Sequence, residues 1–557
     1  MKNFIKQRDG PARYTMLEIK NKKVKTPNIF FINTNRFKAP DFSDITISNQ
    51  GKKDDLIVLY SLENKTEKDN YYIIQDAYQL FLNPKNFVDF IIKLRQKIGE
   101  EKTIYMPSIG NPTNFALMAY MSIDLFDSTQ AIIAARNNNL FFTNGQFNVK
   151  DLDEIPCSCP ICSKYNGKTV DMSFNKILNH NYHVFLNEIK NVRNSIKNSS
   201  IRELVENRIT AHPNLISILR YLDKKHYTFL ESKTPTVSNK ELIVTSKETL
   251  NRPEIRRFQE RILNRYIKPK SCKILLLLPC SAKKPYSFSK THKIFRDQIL
   301  NSQNPNVIHE LIITSPIGLV PRELELVYPA SMYDISVTGF WDEDEKKMIR
   351  TNLRKYLEKN KYDVIISHLE DNLLDFIKDI LIKYHNTCVD KPTSKKSLEK
   401  LRKTLDQKSK PYGKISDQIR KKENIQSLAS YQFNKKIAKK LVENTVIKGR
   451  YPYNKIIENN KQIGMVVKER GFISLTLQGA GKIFDKNSYC VKIFDDFELS
   501  GSVFAPGVID ADKQIRTGDE VIIQCKNSLA GVGVATMSGE DMINAGYGEA
   551  VKTRHHI

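Results

Sequence analysis

The sequence predicts a multidomain protein of mixed α/β and α+β class that ends in a small closed β-barrel. Three observations carry that expectation. At 557 residues the chain exceeds a single hydrophobic core, and domains of roughly 100–200 residues imply three or four of them. A short apolar run at 273–279 stops at Pro279 and leads into a polar loop and a helical pattern near 292–300. That is the pattern of a buried parallel strand, its carboxyl-end loop and a following helix. From about 470 the texture changes to short alternating runs punctuated by Gly, Asp and Pro, as a barrel requires.

Composition narrows the function classes. Apolar residues make up 40% and charged residues 27%, which excludes a mainly disordered chain. Lys plus Arg number 88 against 62 Asp plus Glu, a net charge of +26, so a polyanionic partner is expected, nucleic acid ahead of an anionic membrane surface. The first residues carry no apolar leader run, and the longest apolar stretch is too short to span a bilayer; a soluble cytoplasmic protein with no membrane partner is expected. Eight cysteines are too sparse for a disulfide scaffold. Three of them fall within six positions, which points to metal.

Taken in order, residues 1–245 mix β-rich runs such as 56–60 with helical stretches such as 87–98 and hold the cysteine cluster, an α/β pattern. A Ser/Thr/Lys-rich linker near 233–250 leads to residues 246–390, an α/β domain with strands at 273–279, 311–315 and 364–367 and crossover helices at 343–358 and 373–383. Ligands in such sheets bind beyond the carboxyl ends of the strands, where Cys280 falls. Residues 391–470 form a basic helical, α+β connector, with 18 Lys or Arg against 5 Asp or Glu in 391–450. Such a segment is either a solvated linker or a phosphate-binding arm. Residues 471–557 supply the barrel, with strand patterns at 471–477, 501–510, 519–524 and 531–536.

Cys157-x-Cys159-x-x-Cys162 and His180, at the start of a helical stretch, complete a Cys3His tetrahedron with no open position, as a structural zinc requires. His183 is the less suited fourth ligand. The loop Pro279-Cys280-Ser281-x-Lys283-Lys284-Pro285-Tyr286-x-x-Ser289-x-x-His292 presents a thiol, hydroxyls, ammonium groups and an imidazole. Cationic neighbours and a helix N-terminus favour thiolate, making Cys280 a candidate nucleophile and His292 a candidate proton carrier; core filling is the alternative. A second run after a strand holds Arg322, Glu323, Asp334 and Trp341, the one tryptophan of the chain, which either packs or stacks on a base. No G-x-x-x-x-G-K-[ST] loop is present, so ATP is not expected.

Several of these segments carry a family resemblance. Met106-Pro107-Ser108-Ile109-Gly110, then Phe126-Asp127-Ser128, the cysteine cluster and His180-Asn181 resemble archaeal tRNA-guanine transglycosylases. This implies a TIM-barrel-like front domain, truncated because the zinc motif already ends at 180, with Asp127 matching the family's glycosidic nucleophile. The family's Asp-Ser-Gly base-binding motif is not found in 52–86. Without a base pocket a nucleophile cannot be aimed, which favours Asp127 as a structural carboxylate.

The two loops after 279 and 314 resemble the archaeosine synthase family, paralogues of those transglycosylases, and the tail from Gly501 to His555 resembles a PUA RNA-binding domain. The resemblance implies a transferase that adds free L-lysine, without ATP, to the nitrile of 7-cyano-7-deazaguanine at position 15 in the D-arm of tRNA. It further implies Cys280 as the attacking thiol and His292 as the proton mover, with Lys283 or Tyr286 stabilising the nitrogen anion. Ser281, Ser289 and Trp341 would contact substrate. Arg322 suits the lysine carboxylate, and Glu323 or Asp334 its α-ammonium. A separate radical-SAM lyase would finish archaeosine, since no cluster-binding cysteines exist beyond the zinc set. A homodimer is compatible with the sequence but not specified by it. Two rivals stand beside this expectation: a true transglycosylase acting through Asp127, and a non-catalytic RNA-binding assembly factor.

Overall fold

A computed structural model describes residues 2–19, 22–48, 71–74, 76–165, 172–336, 338–485 and 487–557. The expected strand at 56–60 and most of 52–86 lie outside them. The chain forms two compact units, Met1–Thr234 with Asn544–Gly548, and Pro235–Ile543 with Glu549–Ile557.

The first unit is built on a sheet of five parallel strands, Ile45–Ser48, Asn28–Asn33, Leu125–Asp127, Thr103–Tyr105 and Tyr71–Ile73 in spatial order. The sheet is covered on both faces: Ile29, Phe31, Ile104 and Phe126 pack with the helices, while Phe30, Ile73, Tyr105 and Leu125 meet Leu17 and Ile19 of the Ala12–Ile19 strand. Phe87, Ile91, Phe115, Phe126, Phe185 and Ile189 fill the core beneath it. A three-stranded antiparallel meander, Lys2–Asp9, Ala12–Ile19 and Lys22–Thr26, precedes the sheet. Arg13 and Arg95 are buried there against Asp124, at 2.5 and 3.2 Å, a triad in which each charge compensates the burial of the next.

The second unit carries a five-stranded sheet in the order Gly318–Pro321, Ile308–Thr314, Ile274–Pro279, Val364–Ser367, Tyr384–Asn386. All pairs are parallel except the Gly318–Pro321 edge. Ile274–Leu278 lie between two parallel neighbours and are fully buried, the reason this strand is apolar at every position. The helix Lys290–Leu300 starts where Ser289 accepts the His292 amide, and Glu343–Lys359 starts on a reciprocal capping box of Asp342 and Glu345.

The expected helix at 373–383 is replaced by a short helix, Asp371–Leu374, a 3-10 turn, Lys378–Ile380, and the strand Tyr384–Asn386. Leu373, Leu374, Ile377 and Leu381 are buried all the same, so the helical spacing recorded burial without a continuous helix. The basic segment folds as three helices, Lys395–Ser409, Asp417–Gln432 and Lys435–Val442, with Leu401, Leu405, Ile425 and Leu441 buried. The pattern expected as a barrel strand at 471–477 instead divides into the strand Phe472–Leu475 and the helix Leu477–Ile483. That strand closes a separate antiparallel sheet with Val446–Lys448, Lys455–Glu458 and Lys461–Val467. The barrel sheet has six strands, Val503–Phe504, Glu549–His556, Ser528–Ala535, Glu520–Cys525, Cys490–Ile493 and Val508–Ala511. No helix of the described residues is long and apolar enough to cross a membrane.

Candidate active site

The parallel strands of the second unit end at a cavity of about 290 Å³. Each delivers a residue there, as the topology of an open α/β sheet requires. Cys280 follows Ile274–Pro279, Ser315 follows Ile308–Thr314, Glu370 lies three residues beyond Val364–Ser367, and Lys391 follows Tyr384–Asn386. Trp341, Phe340 and Glu345 complete the wall from the chain entering the Glu343–Lys359 helix. Cys280 and Trp341, distant in sequence, therefore share one cavity. Trp341 also packs against Phe376 at 5.8 Å, while Phe340 is 80% exposed beside it, leaving an aromatic surface open to a planar ligand.

The Cys280 thiol is half-buried. Burial pushes its pKa up, outweighing the hydrogen bond with Thr314 and the charge of Lys284, both of which pull it down; the charge of Glu370 adds to the rise. The sulfur is thus a protonated thiol at rest, not the standing thiolate expected from its basic loop. Behind it runs a line of hydroxyls: Thr314 Oγ1 lies 2.5 Å from the Tyr333 hydroxyl, which lies 2.6 Å from that of Tyr286. Tyr286 and Tyr333 are buried, and burial raises both phenols, so they remain protonated. Lys284, absent from the expected set, places Nζ 3.9 Å over the Tyr333 ring. Burial lowers its pKa, while Cys280 and Asp334 raise it.

Other expected residues sit elsewhere. Lys283 is exposed, and its carbonyl accepts the Ser281 hydroxyl at 3.1 Å. Ser289 is buried as a helix cap. His292 is buried, and its Nδ1 lies 2.8 Å from Arg322 Nη2. Burial and the Arg322 charge drop its pKa to about 2, so it is a neutral imidazole that accepts from the guanidinium through Nδ1. It braces the loop rather than lining the cavity. Arg322 donates to Glu310 at 2.9 Å and to Glu325 at 2.8 Å, which commits its fork inside the protein. Glu323 is paired with His309 at 3.1 Å, and His309 and Arg420 outweigh burial to hold it at about 2. Asp334 is exposed and acts on the site only through Lys284. None of Arg322, Glu323 and Asp334 lines the cavity. Their acid/base composition suggested a lysine pocket, but the charges of Arg322 and Glu323 are engaged by Glu310, Glu325 and His309. Glu345, Glu370 and Lys391 were missed, although the carboxyl-end rule that located Cys280 also points to Glu370 once the 364–367 strand is drawn.

In the first unit the Sγ atoms of Cys157, Cys159 and Cys162 and a ring nitrogen of His180 lie within 4.8 Å of one another. His180 Nδ1 is 3.3 Å from Cys162 Sγ and 3.7 Å from Cys159 Sγ, and Nε2 donates to the Phe141 carbonyl at 3.0 Å. The ring is thereby fixed with its lone pair on the sulfurs. Asn181 accepts the Phe141 amide at 2.8 Å, so the His-Asn pair grips one residue of the Asn139–Phe142 strand through both backbone groups. Three thiols and one imidazole at these separations fit a tetrahedral metal with no open position. His183 packs against Phe42 instead, its ring centroid 4.7 Å away.

Asp127 ends the Leu125–Asp127 strand and is buried. Its carboxylate accepts the Tyr105 hydroxyl at 2.8 Å, the Ser108 amide at 3.0 Å and the Thr129 amide at 2.8 Å. A neighbouring cavity of about 460 Å³ is lined by Asn111, Asn114, Gln130 and Phe141 but not by Asp127.

Three families match the chain: Queuine tRNA-ribosyltransferase over residues 45–214, a Domain of unknown function (DUF5591) over 255–405, and the PUA domain over 496–557. Archaeosine synthase subunit alpha of Methanosarcina acetivorans is 35% identical, covering 89% of this chain and 81% of its own. Archaeosine synthase of Haloferax volcanii is 32% identical, covering 87% and 82%. A tRNA-guanine(15) transglycosylase of Methanothermobacter thermautotrophicus is 26% identical, covering 84% and 68%.

Proposed function

The chain belongs to the archaeosine synthase family, and from that premise we propose that it is a transferase joining free lysine to the nitrile of 7-cyano-7-deazaguanine in tRNA. The observation that supports the chemistry is Cys280, at the carboxyl end of a buried strand and on the wall of a cavity it shares with Trp341. The nitrile carbon is an electrophile that accepts sulfur without a leaving group. Cys280 forms the C–S bond while the thiol proton passes to the nitrile nitrogen, giving a thioimidate. The ε-amine of lysine then forms the C–N bond, the C–S bond breaks, and the sulfur regains a proton; the product is an amidine with every atom retained. The Thr314–Tyr333–Tyr286 hydroxyl line can relay the thiol proton in the first step, and the Lys284 ammonium suits the negative charge that develops on nitrogen. His292 holds Arg322 and the loop in place and carries no proton in this scheme.

The flipped base would stack on Trp341 and Phe340, while the PUA domain and the basic helices hold the tRNA backbone. We assign Zn2+ to Cys157, Cys159, Cys162 and His180, where it would tie the cysteine loop to the Phe174–Lys197 helix. A later radical cleavage of the adduct falls to a separate lyase, because the other cysteines are scattered singly through the chain.

The test is mass spectrometry of nucleosides from nitrile-bearing tRNA incubated with isotopic lysine and no ATP. The expected result is a gain of one intact lysine in the native protein and none above background in Cys280→Ala. An unaltered rate in Cys280→Ser and Cys280→Ala would leave the thiol as a wall of the cavity and amine attack as direct. Release of labelled guanine from tRNA would instead favour transglycosylation.

A further inference from the structure

The charged residues on the cavity wall are Glu345, Glu370 and Lys391, among the described residues. Free lysine carries the mirror of that set, two ammonium groups and one carboxylate. We infer that these three residues read the lysine donor, Glu370 at its reacting ε-end and Glu345 with Lys391 at its α-ammonium and α-carboxylate. The inference rests on the lysine-transferase reading above and concerns how that site selects its amine.

The states of the three side chains support the assignment. Glu370 and Lys391 are exposed residues on the cavity wall, and their side chains make no hydrogen bond or ion pair among the described residues. Arg322 and Glu323, two other residues of suitable charge in the neighbouring loops, are already engaged by Glu310, Glu325 and His309. Glu345 is held in place: Oε2 accepts the Asp342 amide at 2.9 Å, and Oε1 accepts the Ser315 hydroxyl. Its carboxylate keeps acceptor capacity toward the cavity, since two oxygens offer about four lone-pair directions. A preset carboxylate binds an ammonium with little ordering cost.

Glu370 is placed at the ε-end because it shares the cavity wall with Cys280 and its side chain, unlike that of Glu345, is not tied to another group among the described residues. The ε-ammonium must lose a proton before its nitrogen can add. Glu370 takes that proton, the amine forms the C–N bond to the thioimidate carbon, and the C–S electron pair leaves on Cys280. The sulfur recovers the proton from Glu370, and a second N–H proton moves to the imine nitrogen, giving the amidinium.

The experiment compares three donors on nitrile-bearing tRNA with full-length protein: L-lysine, cadaverine, which lacks the carboxylate, and 6-aminohexanoate, which lacks the α-ammonium. The native protein should prefer lysine over each by about ten- to hundredfold in kcat/KM, the range of a charged hydrogen bond. Lys391→Met should lose its discrimination against cadaverine through a raised KM for lysine, with cadaverine turnover retained. Glu345→Gln should lose discrimination against 6-aminohexanoate. Glu370→Gln should lower kcat with every donor. Because Glu345 also caps its helix, a failure of that variant to fold leaves the Lys391 arm to decide. Unchanged discrimination in Lys391→Met overturns the inference, while absence of any lysine adduct in the native protein would overturn the lysine-transferase reading instead.

Discussion

Asp127 and Cys280 each stand at the carboxyl end of a parallel strand, the position where α/β sheets place their chemistry. Their surroundings differ. Asp127 is buried, accepts three hydrogen bonds and lines neither the Cys280 cavity nor the one beside Gln130; it ties the Thr103–Tyr105 strand, the loop after it and the Thr129–Arg136 helix together. Cys280 is half-buried, opens on the cavity and answers to Thr314, Lys284 and Glu370 rather than to a closed shell. A strand end becomes reactive when its side chain keeps unspent valence toward a space a substrate can enter. Asp127 spends that valence internally.

The largest expected effect is the pairing of two substitutions. Cys280→Ala should reduce lysine addition by about a thousandfold or more, as loss of a covalent nucleophile does, and leave the thermal midpoint within a degree or two. Asp127→Asn should do the reverse, costing about 1–3 kcal/mol of stability through an unsatisfied donor with turnover nearly unchanged. Kinetics and thermal melts on both proteins would check this, and a strong kinetic loss in Asp127→Asn would erase the contrast.

Next comes the metal. Stripping it by chelation under denaturant-free conditions, or changing Cys162 to Ser, should lower the melting temperature by many degrees, because a closed site contributes binding energy to folding. It should also release close to one equivalent of zinc by metal analysis. Alkylation of Cys280 by iodoacetamide should be unchanged, since the Cys280 cavity is built from residues of the other unit.

The smallest effect is that of His292. Its neutral form is the folded form, with a pKa near 2 against 6.5 in the unfolded chain. The unfolded state therefore binds the extra proton between those values, and stability falls as pH drops below 6.5, by up to about 1.4 kcal/mol per unit, while remaining flat above it. His292→Gln should reduce that acid slope in denaturant melts at pH 4.5–6.5 and should leave no missing limb near neutrality in the pH–rate profile. A lost limb near pH 6.5 would restore His292 as a proton carrier.

Local sequence carried the parts of this protein that depend on short spacing. The run at 273–279 read as a strand covered on both faces, Cys157-x-Cys159-x-x-Cys162 with His180 read as one cluster and is one in the fold, and Cys280 fell at a strand end by the same pattern. The lysine-reading residues were not legible in that way. Arg322 and Glu323 have the right chemistry in the right loop, yet Glu310, Glu325 and His309 reach them from other elements and use their charge. Glu345, Glu370 and Lys391 look like ordinary surface residues until three strand ends and a helix start bring them around one space. Composition and periodicity determine which elements form, because they act within a few residues along the chain. Only the tertiary structure decides which charges are spent and which face a ligand, because every potential partner competes for them at once, across separations of a hundred residues.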